Sequence, residues 1–289
     1  MGSRQRRGER VAAVSALLNQ NPGRLFTLSE LADLIGASRS SLSEDLAVIR
    51  EVTDLYGLGD VVTVPGATGG ARFLPTPGPE NAHRAITELC RELSDARRLV
   101  AGGYIYMTDI VFSPVWASRL GGVFALLFSR ATASRRRAGS PPAASVADYV
   151  VTVETKGIPL ALMTARALGL PLVVARRDLR VTEGSSVTVN YVSGSTGHIQ
   201  TMSLPRRALP QGAKVLVVDD FMKGGGTARG LKELLTEFSA QVLAMGILTA
   251  TALPAEKLVE DYVALTVLQG VDERRRLVSV VPSRAVADL

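Results

Sequence analysis

The sequence predicts two folds in series: a winged helix-turn-helix over residues 1–75, mostly α with a β wing, and an α/β domain with a mainly parallel sheet over residues 102–289. A linker and connecting helix over residues 76–101 join them. Three observations predict this. Three helix-period segments followed by a short hairpin fill the first 75 residues. Pro75-Thr76-Pro77-Gly78-Pro79 then places three prolines in five residues, which stops regular structure. Beyond residue 102, short Val-rich segments alternate with amphipathic ones, the pattern of a parallel sheet covered by helices.

In chain order, Val11, Val14, Leu17 and Leu18 repeat at near-helical spacing over residues 9–20, until Asn21-Pro22-Gly23 breaks the helix. Thr27 and Glu30 fit a capping box for a helix through Ile35, and Gly36-Ala37-Ser38 makes a tight turn into a third helix. That helix puts Leu42, Leu46 and Ile49 on one face and leaves Arg39, Ser40, Ser43, Glu44 and Arg50 largely on others. Residues 60–64 and 71–74 are β-rich about the turn 65–70, which makes a wing. Residues 81–99 are expected to form the connecting helix, with Cys90 a small buried hydrophobe.

Residues 102–106 open the second domain. Residues 130–142 read as an exposed loop whose arginines suit either a solvated surface or an anion patch. One βαβ unit follows, with strands at 149–153 and 172–175 about a helix from Pro159 to Gly169, Pro159 fitting the first helical turn. A second comprises a buried strand at 215–218, a helix from near Thr227 with Leu231, Leu234, Leu235 and Phe238 inward, and a strand at 242–248. Between the two, β-like residues 187–192 and 198–203 flank the turn 193–197.

Hydrophobic residues make up 46% of the chain and charged residues 21%, a globular composition. The longest apolar runs fall far short of the roughly 20 residues of a membrane span, and the arginines at 4, 6, 7 and 10 precede no signal-peptide core. A cytoplasmic protein with no membrane partner is expected. One cysteine excludes an intramolecular disulfide, and the two histidines, His83 and His198, offer no zinc-ligand spacing. The net charge of +6 favours polyanionic partners, but residues 1–75 balance eight arginines against eight acidic side chains.

DNA contact must therefore be local. The candidates are the arm Arg4, Arg6, Arg7 and Arg10; Ser38, Arg39, Ser40, Ser41 and Ser43 at the start of the third helix; and Gly66, Gly69, Gly70 and Arg72 of the wing. The same serines also suit a helix cap.

The chemistry concentrates after the 215–218 strand. Asp219 and Asp220 can accept hydrogen bonds from neighbouring sugar hydroxyls. Phe221, Met222, Lys223, Gly224, Gly225, Gly226 and Thr227 then lead into a helix. Glycines let the backbone approach an anion, and the N–H groups and dipole of a helix start hold it, so this loop can bind a phosphate. The lysine precedes the glycines and no Gly-Lys-Ser/Thr occurs, which argues against a Walker-type loop.

Hydrophobic strand, acidic pair, short variable stretch and Gly-Gly-Thr resemble the phosphoribosyl pyrophosphate (PRPP) motif of type I phosphoribosyltransferases. The resemblance implies that fold for the second domain, with the acidic pair on the ribose 2′- and 3′-hydroxyls and the loop around the 5′-phosphate. It makes Glu154, Thr155, Lys156 and Gly157 the pyrophosphate loop, with Lys156 and Gly157 facing the anion, and residues 176–203 a hood. Arg176 and Arg177 suit pyrophosphate oxygens or simple solvation equally. His198, at a strand start, is a general-base candidate or a surface residue.

The segments 102–109, which contains Tyr104, 155–159, 181–185, 190–195 and 219–223, with the wing stretch 63–70, together resemble the pur operon repressor family of Gram-positive-type bacteria. Tyr104 joins the PRPP set on this basis. The similarity spans essentially the whole chain, weakest over residues 112–147 and after Leu253.

It implies a DNA-binding repressor of purine biosynthesis and salvage genes, homodimeric on operator DNA, whose affinity PRPP lowers. Mg²⁺ accompanies PRPP near Asp219 and Asp220 and is not held by protein side chains alone; purine nucleotides and guanosine alarmones are candidate competitors. No catalytic residue is assigned and no enzyme activity is expected. The alternatives are an active purine phosphoribosyltransferase with an accessory winged helix, and a winged helix serving protein interaction. Catalysis leaves 75 residues of helix-turn-helix unexplained, and the tail from residue 271 has no aromatic residue to stack on a base.

Overall fold

The computed structural model describes residues 6–66, 69–100, 102, 104–133, 147–177, 184–192 and 197–289. Arg4, the wing tip at 67–68, most of the arginine-rich loop, residues 178–183 and the turn at 193–196 lie outside them.

The N-terminal unit comprises α1 (Arg7–Gln20), β1 (Phe26–Thr27), α2 (Leu28–Ile35), α3 (Arg39–Tyr56), β2 (Asp60–Val64) and β3 (Gly70–Leu74). Val14, Leu18, Leu31, Leu42, Leu46 and Ile49 of the helices close on Phe26, Val61, Ala71 and Phe73 of the sheet, all buried. Thr27 accepts the Glu30 N–H and opens α2, while the Glu30 carboxylate pairs with Arg24 rather than completing a capping box.

Two features depart from expectation. First, the wing is three-stranded, in the order β1-β3-β2, because two residues before α2 pair with β3, Phe26 opposite Ala71 and Thr27 opposite Gly70. A Cβ at Gly70 would lie 1.9 Å from the Phe26 carbonyl oxygen, so Gly70 is a buried packing position and not a groove contact. Second, Arg10 does not belong to a free basic arm. Its Nε and Nη2 donate to the carboxylate of Asp45 at 2.8 and 3.2 Å, and Asp45 is fully buried on α3. A buried carboxylate must be paired, which turns Arg10 inward.

The junction is short and stiff. Residues 75–78 lead into α4 (Pro79–Leu93), with Pro79 at its first turn. Asn81 Nδ2 donates to the Tyr56 and Gly57 carbonyls at 2.7 and 2.9 Å, Gly78 N–H to the Gly57 carbonyl at 3.1 Å, and Thr76 Oγ1 to Asp60 at 2.6 Å. Helix α4 ends earlier than residue 99, because Asp95 caps a single 3-10 turn, Ala96–Arg98, by accepting the Arg97 N–H. The chain then forms a small hairpin of β4 (Leu99–Val100) and β5 (Tyr104–Ile105). Ala82, Ile86, Leu89, Cys90 and Leu93 pack into the core of the second unit. Burial pushes the Cys90 thiol up to about 12.

After α5 (Thr108–Val111) and α6 (Pro114–Ala133) come β6 (Tyr149–Val153), α7 (Gly157–Leu168), β7 (Leu172–Ala175), the hairpin β8 (Ser186–Val192) and β9 (Ile199–Pro205), then β10 (Lys214–Met222), α8 (Gly226–Thr236), β11 (Gln241–Thr251), β12 (Val263–Asp272), β13 (Leu277–Pro282) and α9 (Arg284–Ala287). The central sheet runs β13-β12-β11-β10-β6-β7, parallel except for the β12–β13 pair.

Alternation along β10 builds three layers. Leu216 and Val218 enter the core shared with α4, α6 and α7, whereas Val215 and Val217 enter that shared with α8 and the β8–β9 hairpin. Strand β10 is four residues longer at its C-terminal end than the 215–218 core predicts. Strand β11 continues beside it, pairing Asp219 with Ile247 and Met222 with Ala250, so the acidic pair lies inside the strand.

The chain leaves β6 through α7 for β7 on one side, and leaves β10 through α8 for β11 on the other. Neighbouring strands whose crossovers diverge open a crevice at their C-terminal ends, where ligands of such sheets bind. Among the described residues, no helix is long and apolar enough to cross a membrane.

Candidate ligand and DNA-binding sites

The crevice holds a cavity of about 510 Å³. It brings together Tyr104 of β5, Thr155 and Lys156 after β6, Arg177 after β7, and the run from Asp219 to Thr227. These are all but two of the residues expected around PRPP.

Gly157 is buried at the start of α7, where a Cβ would lie 2.3 Å from Thr152 Oγ1 and 3.1 Å from Asp219 Oδ1. It serves close packing and does not line the cavity. Arg176 exchanges backbone hydrogen bonds with Ser203 at 2.9 and 2.8 Å, tying the sheet to the β8–β9 hairpin. The residue borders a different depression, beside Leu204 and Ala208.

The glycine loop is shaped for close backbone approach. Gly225 caps α8 with φ +85°, a left-handed conformation that glycine adopts without a Cβ clash. A Cβ there would also lie 3.2 Å from the Leu258 nitrogen. The first N–H groups of α8, together with the helix dipole, suit the loop to an anion.

A brace unseen in the motif supports it from the segment after β11. Lys257 Nζ donates to the Lys223 carbonyl at 2.6 Å and to Thr251 Oγ1 at 3.2 Å, and the Leu258 N–H donates to the Gly224 carbonyl at 2.9 Å. Partial burial lowers the Lys257 pKa. Glu154, which opens the Lys156 loop, adds a tie: its carboxylate accepts the Arg177 N–H and joins the loops after β6 and β7. Tyr106 also lines the mouth.

Asp219 Oδ1 accepts the Asp220 N–H at 2.9 Å. Burial, reinforced by the Asp220 charge, pushes the Asp219 carboxyl well above the usual carboxylate range. A half-buried acid beside a second carboxylate suits hydroxyl donors or a cation. Mg²⁺ with a phosphorylated ligand fits, since it takes one or two carboxylates and completes its octahedron with phosphate oxygens and water. Among the described residues no cluster of three or more His, Cys, Asp or Glu could hold a metal by itself.

On the N-terminal unit, Arg39, Ser40 and Ser43 are exposed at the start of α3, as is Ser38. Ser38 is the helix cap. Its Oγ accepts the Ser41 N–H at 3.2 Å and hydrogen-bonds the Ser40 and Ser41 hydroxyls at 3.0 and 2.9 Å. Arg6 and Arg7 are exposed where α1 begins. Gly66 is exposed in the wing turn, which the Gly69 N–H closes by donating to the Gly66 carbonyl at 2.9 Å, and Arg72 is half-buried on β3 opposite Val62.

A three-helix winged unit fused to a sheet with an acidic, glycine-edged crevice at its switch point defines a helix-turn-helix regulator carrying a phosphoribosyltransferase fold. Residues 6–75 match the family described as bacterial purine repressor, N-terminal, and residues 130–278 match the phosphoribosyl transferase domain. The purine biosynthesis transcriptional repressor of Bacillus subtilis (strain 168) is 38% identical over 275 residues, covering 95% of this chain and 92% of its own. The purine biosynthesis transcriptional activator of Lactococcus lactis subsp. lactis (strain IL1403) is 34% identical over 95% of this chain and 96% of its own. The chain belongs to the bacterial purine repressor family.

The second unit alone is similar to enzymes. A xanthine phosphoribosyltransferase of Streptococcus gordonii is 36% identical over 39% of this chain and 59% of its own length. The solved adenine phosphoribosyltransferase of Saccharomyces cerevisiae superposes with a TM-score of 0.52 at 19% identity, over 63% of this chain and 98% of its own, which speaks for the fold alone.

Proposed function

We propose that this chain is a homodimeric, cytoplasmic repressor of purine biosynthesis and salvage genes that grips operator DNA through its winged helix and loses affinity when PRPP binds the crevice. The observation that carries this reading is one cavity, at the switch point of the sheet, combining the acidic pair of β10, the glycine start of α8 and the Lys156 loop, on the same chain as an exposed Ser/Arg helix start.

In this reading Asp219 and Asp220 accept the ribose hydroxyls, and the backbone N–H groups of residues 223–227 with the Thr227 hydroxyl hold the 5′-phosphate. Thr155, Lys156 and Arg177 face the pyrophosphate, while Tyr104 and Phe221 flank the sugar. Mg²⁺, when bound with PRPP, offsets phosphate charge beside the two carboxylates. On the DNA side Arg39, Ser40 and Ser43 meet base edges in the major groove, and Arg6, Arg7 and the wing turn at Gly66 meet the backbone.

The site serves sensing rather than transfer. Ribose and phosphate recognition need nothing beyond these loops, whereas transfer also needs a base held beside the sugar. The relative in Lactococcus bears the name of an activator, so the sign of regulation is read separately, by transcription from a purine promoter with and without the chain. Titration of purine operator DNA with and without PRPP and Mg²⁺ should show weaker binding with PRPP. Unchanged affinity overturns the sensor reading, and robust nucleotide formation from PRPP and adenine, guanine, hypoxanthine or xanthine overturns its non-enzymatic part.

A further inference from the structure

Helix α7 joins the effector crevice to the winged helix, wedged on side chains of β6 and β10 at one end and packed backbone to backbone at the other. At its N-terminus the Lys156 side chain lines the cavity, and Gly157 is wedged on Thr152 and Asp219. At its C-terminus Gly169 meets Gly23, in the turn between α1 and β1: a Cβ built on Gly23 would lie 2.4 Å from the Gly169 Cα. Arg166, in the last turn, donates to the Asn19 carbonyl of α1 at 3.1 Å. The Gly23 N–H in turn donates to the Phe73 carbonyl of β3 at 2.8 Å, so the turn is fastened to the wing. Midway, a Cβ on Gly121 of α6 would lie 2.5 Å from the Met163 carbonyl carbon.

Contacts between bare backbones have no side-chain rotamers to absorb a shift, and packed interiors transmit displacement. A helix of 12 residues spans roughly 18 Å, so a small movement of the Lys156 loop reaches the wing through one rigid body.

We propose that α7 is the strut by which occupancy of the crevice alters the winged helix, and that the Gly23–Gly169 contact with the Arg166–Asn19 hydrogen bond is its output end. The inference rests on the sensor reading above and names its route.

The test uses full-length Gly23→Asn, since asparagine tolerates positive φ while its side chain fills the contact, and Arg166→Ala, an exposed position where folding is not at risk, with Arg166→Lys as the rescue. Operator DNA affinity is measured with and without PRPP, and PRPP affinity with and without DNA. Coupling between two ligands is reciprocal and typically amounts to about 5- to 150-fold. Both variants should bind each ligand alone within about threefold of the unsubstituted protein, yet lose most of the coupling, equally in both directions; Arg166→Lys should recover it. If the unsubstituted protein is coupled and Arg166→Ala and Gly23→Asn remain fully so, the strut is overturned while the sensor reading stands. If the unsubstituted protein shows no coupling, both fall.

Discussion

The two carboxylates of β10 illustrate how a single residue carries a measurable signature. Burial holds the Asp219 pKa high in the free site, and a ligand that donates hydroxyls or brings Mg²⁺ favours the charged form. At a pH below the raised Asp219 pKa, binding therefore releases a proton, and affinity falls as the pH drops through that pKa. Calorimetry of PRPP binding in two buffers of different ionisation enthalpy should reveal that proton, and Asp219→Asn should abolish it while weakening PRPP binding on the order of tenfold or more. Because a raised carboxyl pKa opposes folding above the ordinary carboxylate range, the same variant should unfold at an unchanged or higher temperature.

Arg10 is the opposite case. Truncating it to alanine leaves the buried Asp45 with the more distant Arg7, whose Nε lies 3.8 Å from Oδ1, so Arg10→Ala should destabilise the chain by about 3 kcal/mol, read by denaturant unfolding. The acidic pair was legible because it sits in one contiguous motif. Arg10 was misplaced because it falls in a basic run, although it stands four residues before buried Val14 and shares its helix face.

At the scale of elements, the βαβ units were legible from apolar strands and amphipathic helices, whereas tertiary pairing decided their ends. Two residues at Phe26–Thr27 show no period, and only β3 makes them a strand; β10 is prolonged by β11 beside it; α4 stops where Asp95 offers a cap. The brace on the glycine loop was illegible for a related reason. Lys257 reaches a main-chain carbonyl 34 residues away, a partner with no sequence signature. Lys257→Met should loosen the loop without unfolding the domain, lowering PRPP affinity on the order of tenfold with little change in melting temperature. Equal loss of both would assign Lys257 to general stability.

At the scale of the whole molecule, two-domain order and the position of the crevice could be read from motifs, but the stiffness of the junction could not, since prolines alone suit any linker. On the DNA side, replacing Arg6 and Arg7 by alanine should lower the salt dependence of binding by about 0.9 for each phosphate no longer neutralised, equally on operator and random DNA. Arg39→Ala should instead cost about 1 to 3 kcal/mol on operator alone. Salt titrations on both DNAs separate these outcomes.

The knitting of Asn81, Gly78 and Thr76 onto the ends of α3 and β2 carries a further implication. A reading head bolted to its body measures distance. In a dimer of such chains the two recognition helices stand at a set span and azimuth. Operators are then selected by the helical phase between half-sites as well as by their bases, and a half-turn insertion of about 5 base pairs would present the second half-site on the wrong face of the duplex.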